Sequence, residues 1–86
     1  MSISRKKALA RIEGLSNVIE QHLQKIALRP NSRAVRHWKL EVRGWIRQIE
    51  ALLSNVGRRT KADWMGQVSR WNSQIGEDSH ADDDVD

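Results

Sequence analysis

The sequence contains no cysteine, no phenylalanine and no tyrosine, and it has a single proline. The lack of cysteine excludes disulfides, a thiolate nucleophile and zinc–cysteine sites. No apolar run approaches the ~20 residues that a membrane-spanning helix needs, and the basic start lacks the apolar stretch of a secretory signal. These absences favour a small cytoplasmic protein. At 86 residues the chain is expected to form one domain.

Acidic residues are scarce outside the last ten positions. Six of the eleven Asp and Glu residues lie within residues 77–86, whereas all fifteen Lys and Arg residues lie before them. Residues 1–76 therefore carry fifteen positive charges against five negative ones, and the last ten residues carry −6. We expect residues 77–86 to be a disordered acidic tail. The basic body is expected to bind an acidic or polyanionic partner, or to be screened by the tail.

Three stretches of apolar residues repeat at steps of three and four, the spacing of a single stripe on a helix. The first stripe comprises Ala8, Ile12, Leu15, Ile19, His22 and Ile26, the second Val35, Trp38, Val42, Trp45, Ile49, Leu52 and Val56, and the third Trp64, Val68, Trp71 and Ile75. The spacing predicts helices near residues 4–28, 33–55 and 61–75. Because one stripe cannot be buried alone, we expect an all-α fold, an antiparallel three-helix bundle within residues 1–76.

Polar residues and a glycine predict where the second helix begins and ends and where the third begins. Asn31 or Ser32 is predicted to cap the second helix, and Gly57 is predicted to end it in a left-handed conformation. Thr60 followed by Asp63 resembles a capping box, which predicts that the third helix begins just after Thr60.

The four tryptophans form two pairs, and the members of each pair lie seven residues apart. We expect Trp38 and Trp45 to fill the core, because each indole buries a large apolar area. For Trp64 and Trp71, core packing and partner binding both remain open. Tryptophan, methionine and arginine are the residue types enriched in protein interfaces.

The leading hypothesis for function is that one face of the third helix binds a protein partner. Its residues combine apolar side chains with flanking arginines, the composition of an interface. The predicted site consists of Trp64, Met65 and Trp71 with Arg58, Arg59 and Arg70.

The alternative hypothesis is a polyanion-binding stripe on the second helix. Arg36, Arg43 and Arg47 lie within about 40° of one another on a helical wheel, with Arg33 and Lys39 at the edges. Such a stripe could contact phosphates and give weak, non-specific nucleic-acid binding. Sequence-specific readout is not expected, because Asn and Gln are sparse on the stripe. A solvated outer face is the simpler interpretation.

No residue pattern predicts a catalytic, cofactor or metal site. His22 lies on the first stripe, where we expect a partly buried and hydrogen-bonded imidazole, and His37 lies on an outer face. His80 has acidic neighbours, but a flexible tail offers no fixed ligand geometry. The chain also lacks a glycine-rich phosphate loop. We therefore expect no enzyme activity, no cofactor and no metal.

Small size, a wholly helical pattern, the lack of a catalytic site and the charge layout of residues 1–76 resemble the QseM-like antiactivators of integrative and conjugative elements. The resemblance implies a cytoplasmic protein that binds and inhibits transcriptional activators, including quorum-sensing regulators of the TraR type. It assigns no binding residue. Whether the chain is a monomer or a homodimer stays open.

Overall fold

The computed structural model describes residues 3–76 and shows a three-helix bundle, as predicted. The predicted disordered tail, residues 77–86, lies outside the described residues. The helices are α1 (Arg5–Leu28), α2 (Val35–Leu52) and α3 (Arg58–Ile75), with a short 3₁₀ turn over Leu53–Asn55.

Helix α1 begins and ends where local chemistry favours a boundary. The Ser4 hydroxyl accepts a hydrogen bond of 3.2 Å from the Lys7 backbone N–H, which satisfies one free donor of the first turn. At the other end Arg29 has left the helical region, with φ −133° and ψ 62°. The following Pro30 disfavours helical dihedrals at that residue, so the helix stops one residue earlier.

Helices α1 and α2 run antiparallel, as two contacts between them show. His22 on α1 lies opposite Glu41 on α2, with 3.4 Å between Nε2 and Oε1. One turn later on α1, Lys25 places its ammonium over the Trp38 ring, 5.3 Å from the ring centroid. The partner on α2 moves three residues back as the position on α1 moves three residues forward. This order is that of an antiparallel helical hairpin.

Helix α2 begins two residues later than predicted, and neither predicted cap occupies the N-cap position. The N-cap is Ala34, which has no side-chain hydrogen bond to the first turn. The Ser32 hydroxyl instead accepts from the Ala34 N–H at 3.1 Å and so organises the turn before the helix. The last turn tightens into the 3₁₀ segment, a common ending for an α-helix.

Helix α3 begins at Arg58, three residues earlier than predicted, and only Val56 and Gly57 separate it from the 3₁₀ turn. Gly57 is the N-cap of α3, with φ −70°, so the prediction that it ends α2 in a left-handed conformation is wrong. Thr60 lies inside the first turn, so the predicted capping box is also wrong. Gly76 does end α3 with φ 80°, a value that glycine adopts without a steric penalty.

The core lies where all three helices meet, and its residues are apolar throughout. Each helix presents its stripe to the other two, but on α1 and α2 the most deeply buried arc is rotated from the predicted one. Leu23 and Ile46 are buried, whereas their neighbours His22 and Trp45 are only half-buried. The cluster consists of Ile12, Ile19, Leu23, Val42, Ile46, Ile49, Leu53, Val68, Trp71 and Ile75.

Candidate docking surfaces

The C-terminal half of α3 is anchored in the core. Val68, Trp71 and Ile75 are all buried, and the Trp71 side chain is 0% exposed. Its indole N–H donates a hydrogen bond of 2.7 Å to the Glu20 carboxylate on α1. Trp71 therefore cannot belong to an exposed docking face, which corrects that part of the predicted partner site. Its large ring fills the junction of the three helices instead.

The N-terminal half of α3 contributes no buried residue. From Ser54 to Gln67 every side chain is exposed or half-buried. Trp64 is half-buried and packs against the edge of the core, with its ring centroid 6.3 Å from that of Trp71. Met65 is 39% exposed, so it is one of the few large apolar side chains that project into solvent. This half of the helix presents apolar area that the fold leaves uncovered.

The arginines predicted to flank this area do not share one face. Arg58 lies roughly 20° from Met65 around the helix axis, whereas Arg59 and Arg70 lie roughly 120° and 140° away. Arg70 donates to the Gln67 side-chain oxygen at 2.8 Å, on that other side of the helix. Of the predicted arginines, only Arg58 therefore shares a side of α3 with Met65, and Arg59 and Arg70 lie on another side.

Lys61 belongs to the same surface, although the predicted partner site did not include it. At 100° per residue its position lies between those of Trp64 and Met65, and its side chain is exposed. We name the resulting set the α3 surface, and it comprises Arg58, Lys61, Trp64 and Met65. Spacing along the helix could have identified Lys61, but burial was needed to remove Trp71.

The outer face of α2 carries an apolar residue among the predicted arginines. Arg36, Leu40, Arg43 and Arg47 follow one another at steps of four, three and four, which places them on one stripe. Leu40 is 60% exposed at the centre of this stripe, and Arg36 and Arg47 are exposed on either side. We name these four residues the arginine face. The sequence analysis missed Leu40, although the same step pattern places it there.

The other predicted members of the stripe lie apart from it. Arg33 precedes the first residue of α2, so it is not on the helix at all. Lys39 is half-buried at the edge of the face. Arg43 is half-buried as well, and its guanidinium donates to the Gly76 carbonyl at 3.5 Å. No ion pair within residues 3–76 involves Arg36, Arg43 or Arg47. The face is thus cationic and unneutralised within the described part of the chain.

A small polar cluster joins α1 and α2 beside Trp45. The Glu41 carboxylate lies 3.4 Å from His22 Nε2 through one oxygen and 3.4 Å from His37 Nε2 through the other. His22 also places Nδ1 3.1 Å from the Val18 carbonyl, and its ring meets Trp45 edge-on at 4.7 Å. The prediction of a partly buried, hydrogen-bonded His22 is confirmed. The contacts around its ring are those of a residue that joins two helices.

An open groove of about 730 Å³ runs along α1 beside the end of α3. Its polar lining consists mainly of carboxamides. Glu20, the acid in this lining, is the acceptor for the Trp71 indole. The lining residues are Asn17, Glu20, Gln21, Leu23, Gln24, Ile26, Ala27 and Gln74.

Two searches of residues 3–76 bear on other kinds of site. No three or more His, Asp or Glu side chains there are grouped so that they could hold a metal ion. Among the described helices, none combines the length and the apolar character that crossing a membrane requires. Comparison of the chain with protein-family models, with curated proteins and with solved structures gave no match.

Proposed function

We propose that the protein is a non-catalytic, protein-binding regulator of the antiactivator type, which covers a surface of a transcriptional activator through its α3 surface. A role in quorum-sensing or conjugative-transfer control follows from the resemblance described above. The observation that carries the proposal is the contrast within α3. Its second half is fixed in the core, whereas its first half holds no buried residue and exposes Met65.

The chemistry of the α3 surface fits a protein partner. Methionine has a flexible, polarizable side chain that adapts to a partner's surface. The half-buried Trp64 offers a rigid aromatic edge beside it, held in place by the core. Arg58 and Lys61 add positive charge at the rim, which steers an acidic partner and disfavours a basic one.

The direct test is the affinity for a purified activator of the TraR type, measured by isothermal titration calorimetry. Met65→Ala and Trp64→Ala should each weaken binding by at least about tenfold, the effect of truncating a central interface residue. Leu28→Ala is the matched control, because Leu28 is a 78% exposed apolar residue at the end of α1 and does not belong to the α3 surface. It should leave the affinity unchanged.

Two arginines of α3 provide a second test, because replacing either one by glutamine removes the same charge. Arg58→Gln should weaken binding and Arg59→Gln should not, because only Arg58 lies on the side of α3 that carries Met65. Equal effects of the two changes would indicate attraction to net charge rather than a defined interface. Full affinity in the Met65→Ala, Trp64→Ala double variant, with the helical content retained, would overturn the proposal.

The second candidate is weak, non-specific nucleic-acid binding through the arginine face, and the lack of ion pairs to its arginines within residues 3–76 favours it. Phosphate contacts release counterions, so affinity for an oligonucleotide would fall steeply with salt. Arg36→Gln and Arg47→Gln would each reduce that salt slope by about 1. An apolar protein interface on α3 would show a shallow salt dependence instead, which separates the two candidates.

A further inference from the structure

The last described residue of the chain, Gly76, contacts the arginine face at Arg43. The Arg43 guanidinium donates to the Gly76 carbonyl, 33 residues further along the sequence. Helix α3 ends at Ile75, so the acidic residues 77–86 start from this point. The most acidic segment of the chain is therefore attached beside the arginine face.

The two segments have complementary charge. Residues 77–86 contain six acidic residues and no Lys or Arg, and their apolar members include Val85. The arginine face offers Arg36, Arg43 and Arg47, which pair with no carboxylate in residues 3–76. Leu40, 60% exposed at its centre, provides an apolar contact for a residue such as Val85.

The geometry allows the segment to cover the whole face. Arg36 lies seven residues before Arg43, about 10 Å along the helix axis, and Arg47 lies about 6 Å away in the other direction. Ten residues of chain span up to ~33 Å. Because the segment is tethered at Gly76, its effective concentration at the face is on the order of millimolar.

We propose that residues 77–86 dock on the arginine face and compete there with external polyanions. Each exposed ion pair is weak, so the contact depends on several pairs acting together and is screened by salt. The consequence is regulatory: a nucleic acid that binds the face has to compete with the acidic segment. This inference does not depend on whether the α3 surface binds a protein.

Paramagnetic relaxation in the full chain tests the docking. The chain has no cysteine, so Ala81→Cys accepts a single nitroxide label. At low salt, the label should broaden the amide signals of Arg36 and Leu40 to less than half of their diamagnetic intensity, while the amides of Lys7 and Arg59 stay sharp. Raising the salt to roughly 0.5 M should restore the Arg36 and Leu40 signals, because screening is then nearly complete.

Variants of the face separate docking from mere proximity. Arg36→Gln with Arg47→Gln should abolish the broadening at Leu40, whereas Arg11→Gln with Arg59→Gln removes the same charge elsewhere and should leave it unchanged. Broadening that neither salt nor the arginine changes reduce would show tethering alone and would overturn the proposal. Absence of broadening at Arg36 and Leu40 at low salt would overturn it as well.

Competition is tested with a fluorescent single-stranded oligonucleotide. Neutralising Asp82, Asp83 and Asp84 to Asn should raise its affinity at low salt by at least about fivefold, because a tethered competitor is weakened. The control neutralises Glu13 and Asp63, which lie on α1 and α3 away from the arginine face, and it is compared with Asp83→Asn, Asp84→Asn, which makes the same change in net charge. Equal gains in the two variants would refute competition, as would an oligonucleotide that binds neither variant.

Discussion

The two tryptophan pairs have the same spacing and different environments. Trp71 on α3 is fully buried and donates to Glu20, whereas Trp38 and Trp45 on α2 are both half-buried. Trp45 packs against the edge of the core, but Trp38 lies outside the core cluster and contacts Lys25 instead. The expectation that Trp38 and Trp45 fill the core is therefore wrong for Trp38 and only partly met by Trp45.

The difference teaches that burial depends on how many helices surround a position. Trp71 points into the junction of α1, α2 and α3. The end of α3 contacts Arg43, whereas Trp38, a turn and a half earlier on α2, lies outside the core cluster and contacts Lys25 on α1. Trp45 faces His22 on α1, on the side of α2 away from the buried Ile46. The same seven-residue spacing therefore places Trp71 in the core between the three helices, whereas Trp38 and Trp45 make side contacts with α1.

The largest effect is expected for Trp71→Ala. Removing a fully buried indole leaves a cavity at the three-helix junction, which should lower the free energy of unfolding by about 3–5 kcal/mol. Trp38→Ala should cost about 1 kcal/mol, because part of that ring already faces solvent. Urea unfolding followed by circular dichroism measures both. Equal losses for Trp38 and Trp71 would contradict the contrast drawn here, and Trp71→Phe provides a milder variant if Trp71→Ala does not fold.

A smaller effect is expected at Glu20. Glu20→Ala removes the acceptor of the Trp71 indole, which should lower the free energy of unfolding by about 1–2 kcal/mol. Glu13→Ala, seven residues earlier on the same helix and exposed, should change it by less than about 0.5 kcal/mol. In a Trp71→Phe background the cost of Glu20→Ala should disappear. Persistence of the full cost there would show that Glu20 acts through another group.

The smallest effect is expected where Lys25 lies over Trp38. Lys25→Met keeps the aliphatic stem and removes the charge, which should cost about 0.5 kcal/mol, the size of an exposed cation–π contact. Lys6→Met, on the exposed start of α1, is the control and should be neutral. In a Trp38→Leu background Lys25→Met should also be neutral. A double-mutant cycle from urea unfolding gives the coupling, and a value of zero would contradict the contact.

Only part of the α3 surface could be identified from the sequence, for a physical reason. The spacing predicted Met65 on the third helix, where the structure has it exposed, whereas Arg58 was predicted to precede that helix and in fact begins it. It could not remove Trp71 from the site, since helical spacing gives a residue's direction but not what lies opposite it. On the arginine face the step pattern was enough to find Arg36, Arg43 and Arg47. Leu40 lies on the same steps, but its apolar side chain carries no charge that would mark it as part of a cationic face.

The sequence by itself determined the number of helices, the residues of each apolar stripe and the separation of charge along the chain. These follow from local geometry, because a helix repeats every 3.6 residues whatever surrounds it. The tertiary structure decided the depth of each side chain, the rotation of the buried arcs toward Ile46 and Leu23, and the contact of Gly76 with Arg43. Those features depend on where a distant helix packs, which no local spacing encodes.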